Sequence, residues 1–214
     1  MSFANMKIGT RLALGFGAVL LLLAITVGIG IKELNSLSHD IDDIVNDKFP
    51  KTVLASTVTD NINIIARATR NLLLFKDKEA QAKEHERILN ARKTITEKLD
   101  KLALMVRSDE GKGILKNVAE ERAKYVVVQE SFLKLIADGK QAEATDYLIT
   151  AVRKPQADYM ASVDKLVEFQ GKLMEATGKK SADNVAFAIV ESIILALLAL
   201  LVGSVVAFML MRSI

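Results

Sequence analysis

Three residues that could bind a ligand lie along one face of a helix-patterned stretch of the sequence. Arg122, Tyr125 and Gln129 recur at spacings of three and four residues, in register with apolar residues before and after them. Arg92 occupies the equivalent core position of the preceding helix, and counting outward from the turn near residue 110 places it level with Tyr125 and Gln129. These spacings predict a polar cluster inside a helical domain.

An arginine in a core needs a partner, and two kinds of partner fit this sequence. A guanidinium group that is buried without a partner is strongly destabilising. Arg122 can turn outward or pair with an acid on its own helix, Glu120, Glu121 or Glu130. The alternative is a ligand carboxylate, because arginine binds carboxylates through two parallel hydrogen bonds. The sequence leaves both interpretations open.

A second polar face lies on the first helix of the domain and points away from its apolar line. Asp60, Asn63, Arg67 and Asn71 form this face, and Arg70 lies beside it. The simplest interpretation is a face in water, and the alternative is a dimer interface that contains a ligand cleft. The candidate ligand-binding residues are Arg122, Tyr125, Gln129, Arg92, Thr69, Tyr159, Arg67 and Arg70.

The composition argues against several other classes of function. The only histidines, His39 and His85, lie on separate helices, and the chain has no cysteine, whereas a metal site needs three or four ligands. No nucleophile triad, phosphate-binding loop or carboxylate pair is present, so we expect no catalytic residue, no metal and no cofactor. The net charge of +3 comes mainly from residues that flank two apolar runs, so we expect no nucleic-acid binding.

Two uncharged runs of twenty residues, Leu12 to Ile31 and Ser192 to Met211, lie at the two ends of the chain. As helices they would each be about 30 Å long, which matches the hydrocarbon core of a bilayer. The first run is longer than the apolar part of a signal peptide and lacks a cleavage site, so we expect an uncleaved anchor. We therefore predict a membrane protein with two spans.

The short basic flanks predict the orientation of these spans. Lys7 and Arg11 precede the first run and Arg212 follows the second, so both ends should be cytoplasmic. The central domain should then lie outside, which in a bacterium is the periplasm. The predicted divisions are a cytoplasmic N-terminus (1–11), a first span (12–31), a periplasmic domain (32–190), a second span (191–211) and the start of a cytoplasmic linker (212–214).

Apolar residues at spacings of three and four predict four long helices between the spans, with no strand pattern. A bulge is expected near Phe49-Pro50, because proline removes a helical hydrogen bond. Turns are expected at Ser108–Gly113 and at Asp138-Gly139-Lys140, and a break at Pro155 before the last helix. Short turns between long amphipathic helices predict an all-α, antiparallel up-down-up-down four-helix bundle.

Small residues recur along one face of the first apolar run. Ala13, Gly17, Ala24 and Gly28 would let a second helix approach closely. Alternatively, alanine and glycine are simply common in membrane spans. The first interpretation predicts a homodimer, whose candidate interface residues are Ala13, Gly17, Ala24, Gly28, Asn63 and Asn71.

Three segments of the chain resemble one protein family. The segments MKIGTRLALGFGAVLLLL, IARATRNLLLFKD and RAKYVVVQESFLKLIADGKQAEA resemble the N-terminal half of a bacterial methyl-accepting chemotaxis protein with a four-helix-bundle ligand-binding domain. The resemblance covers essentially the whole chain. It implies a homodimeric periplasmic sensor that controls a cytoplasmic signalling kinase and adaptor through a linker and coiled coil. That part would begin where this sequence stops, so we expect a sensor-plus-membrane fragment.

The resemblance also implies roles for individual residues. Members that sense organic acids hold ligand carboxylates with an R-x-x-Y pair on the third helix and another arginine one turn on. Arg122 and Tyr125 match this pair, whereas Gln129 replaces the second arginine. Aspartate-sensing members use arginines of the first helix across the dimer interface, and here Arg70 matches while Ala66 departs. The implied ligand is a small anion, a di- or tricarboxylate or an amino acid.

These observations lead to one main function and two alternatives. The main expectation is a chemoreceptor in the bacterial inner membrane that senses a small periplasmic ligand and is not itself an enzyme. The same sensor could instead belong to a histidine kinase or a cyclase. The third possibility is a membrane-anchored scaffold that binds a partner protein.

Overall fold

The computed structural model describes residues 7–212, apart from the side chain of Leu210, and these residues contain no strand. They divide into two compact units, one of residues 44–175 and the other of the described residues up to 43 and from 176 onward. The helices are α1 (Ile8–Asp42), α2 (Phe49–Leu74), α3 (Lys78–Met105), α4 (Asp109–Ala137), α5 (Gln141–Tyr147) and α6 (Arg153–Met211), with π-helical segments at Asp43–Lys48 and Leu148–Val152.

The unit of residues 44–175 is a four-helix bundle of α2, α3, α4 and the α5–α6 segment, as predicted. Side-chain contacts show that α3 and α4 are antiparallel, because Arg92 contacts Gln129 while Thr96, further along α3, contacts Arg122, further back along α4. Connections of three residues join α2 to α3 and α3 to α4. Such short connections leave neighbouring helices antiparallel.

The contacts between α2 and the last helical segment follow the same rule. The hydroxyl of Thr59 donates to Asp164, whereas the carbonyl of Leu72 accepts from the Gln141 side chain, so the residue numbers run in opposite directions. The four helices enclose a core of apolar and aromatic side chains. Its largest buried members include Ile62, Ile65, Leu72, Ile88, Leu102, Tyr125, Phe132, Tyr159 and Leu166.

The start of α4 corrects one prediction. The expected turn at Ser108–Gly113 is wrong, because Ser108 is the N-cap of α4 and its hydroxyl accepts a hydrogen bond from the backbone N–H of Gly111. Gly111 lies inside the helix, where a Cβ atom would come within 2.6 Å of the Val106 side chain. The glycine therefore permits close packing at this position and does not form a turn.

The two prolines have similar surroundings. Pro50 lies in the first turn of α2, directly after the π-helical segment Asp43–Lys48, so the predicted bulge is confirmed. The predicted break at Pro155 is wrong, because α6 already begins at Arg153 and Pro155 lies in its first turn. Each proline lies shortly after a π-helical segment, Asp43–Lys48 or Leu148–Val152, where the regular α-helical hydrogen-bond pattern is already interrupted. The turn at residues 138–140 is confirmed, with a positive φ at Gly139.

The second unit contains two helices that are long and apolar enough to cross a membrane. Within this unit α1 and α6 meet at Gly15, where a Cβ atom would lie 2.5 Å from the Val206 side chain. Further along, the hydroxyl of Ser181 on α6 donates to the carboxylate of Asp40 on α1. A glycine and a polar pair thus fix the contact between these helices.

The stripe of small residues proposed for dimerisation lies on another face of α1. Ala13, Gly17, Ala24 and Gly28 are all exposed, and a Cβ atom added at Gly17 or Gly28 would meet nothing within 4 Å. The contact between α1 and α6 uses Gly15 instead, which the sequence analysis did not single out. The role of the stripe in a dimer stays a prediction.

Candidate functional site

Three polar side chains lie together in the core of the bundle, and all three were predicted site residues. Tyr125 and Gln129 come from α4 and Tyr159 comes from α6, with exposed fractions of 1%, 0% and 1%. The two tyrosine rings are 6.0 Å apart between centroids. We name these three residues the buried polar cluster.

Arg92 on α3 holds one side of this cluster. Its Nε and Nη2 atoms donate to the Oε1 atom of Gln129 at 2.9 and 2.6 Å, and its Nη1 atom lies 3.5 Å from the carboxylate of Glu130. These contacts confirm the prediction that Arg92 lies at the same height along the bundle as Gln129. Because a guanidinium group can only donate, the Gln129 amide must present its oxygen to Arg92 and its NH₂ group to the core.

The remaining polar atoms of the cluster have no hydrogen-bond partner within the described part of the chain. They are the hydroxyl groups of Tyr125 and Tyr159 and the Nε2 atom of Gln129. An unsatisfied buried donor costs about 1–3 kcal/mol, so native cores seldom contain several of them. Three such donors need acceptors that the described chain does not supply, and a bound molecule with hydrogen-bond acceptors can supply them.

Burial keeps both phenol groups of the cluster protonated. Burial raises the pKa of Tyr125 well above its ordinary value, although the charge of Arg92 opposes this effect. Burial also raises the pKa of Tyr159 to about 12, against the opposing charge of Arg122. Both hydroxyl groups are therefore available as donors at every physiological pH, whereas a phenolate could only accept.

Arg122 is half-buried and lies at the edge of the cluster. Its Nη2 atom donates to the Oγ1 atom of Thr96 on α3, and among the described residues no carboxylate lies within 4.0 Å of its guanidinium group. Pairing with Glu120, Glu121 or Glu130 is wrong, whereas the other alternative, that Arg122 turns outward, agrees with its bond to the exposed Thr96. Glu121 pairs with Lys124, and Glu130 lies beside Arg92. Arg122 thus retains a positive charge that no near acid neutralises.

Arg122 also lines a groove of about 610 Å³ between α3 and α4. Small-molecule sites usually have volumes of about 300–1,000 Å³, so this groove is large enough for a metabolite. Asp100 is its other charged residue, and the rest of the lining is apolar. The apolar lining residues are Leu99, Ala103, Leu115, Val118, Ala119, Ala123 and Val126.

The remaining predicted residues form no hydrogen bond with this cluster in the described part of the chain. Thr69 is buried, but its hydroxyl donates to the carbonyl of Ile65 in its own helix. Arg67 and Arg70 are exposed on the outer face of α2. Asn63 and Asn71, the predicted dimer contacts of this helix, are only half-buried.

The sequence analysis missed two polar residues, of which only Thr96 contacts a predicted site residue. Thr96 accepts the hydrogen bond from Arg122, and its type gave no signal because threonine is common on exposed helix faces. Gln170 on α6 is 2% exposed, and its Oε1 atom has no partner in the described part of the chain. Its spacing of four residues from Leu166, on the same line as Tyr159, was the available signal.

The comparison with protein families agrees with this architecture. A family model described as a four-helix-bundle sensory module for signal transduction matches residues 5–185. The chain belongs to this family. The resemblance to chemoreceptor sensors and the all-α bundle class are thereby confirmed. No curated protein matches the chain. For a four-helix-bundle sensory module, the buried donors described above are the candidate for the site at which the signal is received.

Proposed function

We propose that this chain is the sensing part of a transmembrane chemoreceptor that detects a small organic acid outside the bacterial inner membrane. The chain belongs to a family of sensory modules and contains two helices able to span a membrane, which supports a receptor. The single observation that carries the choice of ligand is the set of unpartnered buried donors beside two arginines. The chain acts by binding, and we propose no enzyme activity for it.

The ligand acts by favouring one of two arrangements of the helices. Only a ligand that binds these arrangements with different affinity can shift their populations. A ligand that accepts hydrogen bonds from the hydroxyl groups of both Tyr125 and Tyr159 contacts α4 and α6 together, so its binding alters how these helices pack. The last helix is unbroken from Arg153 to Met211, which supports a role in carrying a small displacement toward the cytoplasm.

The receptor works as a homodimer in this proposal. The exposed stripe of small residues on α1 supports close contact with a second copy. Leu34 and Ile41 of the same helix are also exposed, at 67% and 52%, which supports a longer apolar contact. The displaced helices act on a cytoplasmic signalling kinase and its adaptor.

The full 214-residue chain in lipid nanodiscs allows a direct test. Thermal-shift measurements with a panel of organic acids and amino acids should identify at least one compound that stabilises the protein, because a ligand that binds only the folded state raises its stability. Calorimetry then gives the affinity of that compound for wild type and for Arg122→Ala, which should bind it more weakly. Lys124→Ala, at an exposed site two residues further along the same helix, is the matched control.

Two results would contradict this proposal. Equal affinities of wild type and Arg122→Ala for the identified acid would exclude Arg122 from the site. No stabilisation by any compound of the panel would argue against a small-molecule sensor and favour the scaffold alternative. Fusion of the chain to the signalling half of a known chemoreceptor then tests the output, since the identified acid should change the swimming response of the host cells.

A further inference from the structure

The orientation of the Gln129 amide determines what the site offers to a ligand. Its oxygen accepts two hydrogen bonds from Arg92, so the amide cannot be turned over without placing NH₂ against a guanidinium group. The Nε2 atom is therefore a buried neutral donor, and no group in the described part of the chain accepts from it. A ligand at this position meets an uncharged N–H group.

The charges around the cluster can balance one negative charge on a ligand, but not two. Arg92 has Glu130 at 3.5 Å in addition to Gln129, so its charge is already partly balanced. Arg122 donates to a neutral hydroxyl and has no carboxylate within 4.0 Å among the described residues. The exposed Asp100, which shares the groove with Arg122, further opposes a second negative charge on the ligand. The three unpartnered atoms of the cluster, the two phenol hydroxyls and the amide nitrogen, are all uncharged.

We propose that this site selects an acid with one carboxylate and a neutral acceptor, such as an amide, keto or hydroxyl oxygen, over a dicarboxylate of the same shape. The carboxylate pairs with Arg122, and the neutral acceptor receives hydrogen bonds from Gln129 and the tyrosines. A second carboxylate would be buried without a cation to pair with it, which is unfavourable. The inference rests on the proposed function and narrows its ligand class.

Three compounds of nearly equal shape test this selection. Succinamate, succinate and 4-methylpentanoate share one carboxylate and differ only in ending with a carboxamide, a second carboxylate or an isopropyl group. Calorimetry on the full chain in nanodiscs should show that succinamate binds at least about tenfold more tightly than succinate. The longer set of glutaramate, glutarate and 5-methylhexanoate is measured in parallel, so that ligand length does not decide the result.

Substitution of Gln129 assigns the selection to this residue. Gln129→Leu, which has a similar volume and no donor, should weaken succinamate binding about tenfold and leave 4-methylpentanoate binding unchanged. Gln170→Leu, at another buried glutamine of the bundle, is the matched control and should change neither affinity. Gln129→Arg should invert the order and favour succinate. If Gln129→Arg does not fold, the comparison of Gln129→Leu with Gln170→Leu still tests whether Gln129 determines the selection.

The possible outcomes separate this inference from the proposed function. The inference is wrong if wild type binds the dicarboxylates more tightly, or if Gln129→Leu loses affinity equally for succinamate and 4-methylpentanoate. Neither result would contradict the proposed receptor function. If neither set binds, the inference also fails. The wider panel of acids described above then decides whether the sensor function fails with it.

Discussion

Replacing Tyr125 with phenylalanine should make the ligand-free protein more stable and a poorer receptor. The phenol oxygen of Tyr125 is buried and has no hydrogen-bond partner among the described residues, so it contributes a desolvation penalty without a compensating bond. Such a penalty is about 1–3 kcal/mol, and phenylalanine removes it while retaining the ring and its packing. The substitution therefore removes a cost in the free state and a contact in the bound state.

The size of the effect can be expressed as a melting temperature. For a domain of this size, 1 kcal/mol corresponds to roughly 3–5 °C, so Tyr125→Phe should melt about 3–15 °C above wild type. Thermal unfolding of the full chain, followed by far-ultraviolet circular dichroism in one detergent, measures this difference. Tyr147→Phe, at a half-buried tyrosine outside the cluster, is the control and should melt close to wild type.

The same variant must also lose affinity for the reasoning to hold. Loss of one hydrogen bond to the ligand should weaken binding about tenfold. A lower melting temperature for Tyr125→Phe would show that its hydroxyl is satisfied in the free protein, and the candidate site would lose its main support. A higher melting temperature with unchanged affinity would show that the ligand binds elsewhere.

Three further predictions concern the same molecule. Arg92→Ala leaves the Gln129 amide oxygen buried without its donor, so the free energy of unfolding in urea should fall by about 1–3 kcal/mol, and an unchanged value would contradict the assigned contact. Gly15→Ala brings a Cβ atom within 2.5 Å of Val206 and should lower the melting temperature, whereas Gly17→Ala, with nothing within 4 Å, should not lower it. The buried phenols have raised pKa values, so the unfolded chain loses their protons first. These two groups should contribute no pH dependence near neutral pH. Above pH 10, the ordinary tyrosine value, each should lower the stability by about 1.4 kcal/mol per pH unit relative to Tyr125→Phe/Tyr159→Phe, and identical profiles of the two proteins would contradict their burial.

The helices and most of the core could be predicted because their signal is local and repeated. Apolar residues at spacings of three and four fix which face of a helix is buried, and the buried side chains of Ile62, Ile88 and Phe132 follow this rule. The predicted turn at Ser108–Gly113 and the predicted break at Pro155 were wrong because glycine and proline each occur in two different structural settings. Glycine can mark a turn or a close contact, and Gly111 provides the second; proline can break a helix or begin one, and Pro155 does the second.

The sequence predicted which residues belong to the candidate site, but not all of their hydrogen-bond partners. Spacing placed Arg92 level with Gln129, and the hydrogen bonds between them confirm that level. The partner of Arg122 could not be predicted, because its guanidinium reaches several residues on two helices and small differences in side-chain direction decide among them. Thr96, which accepts its hydrogen bond, lies on the neighbouring helix, outside the acids considered from the sequence.

The central claim is that a small acid binds to the buried donors of α4 and α6. Calorimetric titration of an identified acid into the double variant Tyr125→Phe/Tyr159→Phe tests it most directly, in parallel with wild type and Tyr147→Phe. Loss of two hydrogen bonds should weaken binding about a hundredfold in the double variant, while the control retains wild-type affinity. Equal affinity for all three proteins would contradict the claim and place the binding site elsewhere in the chain.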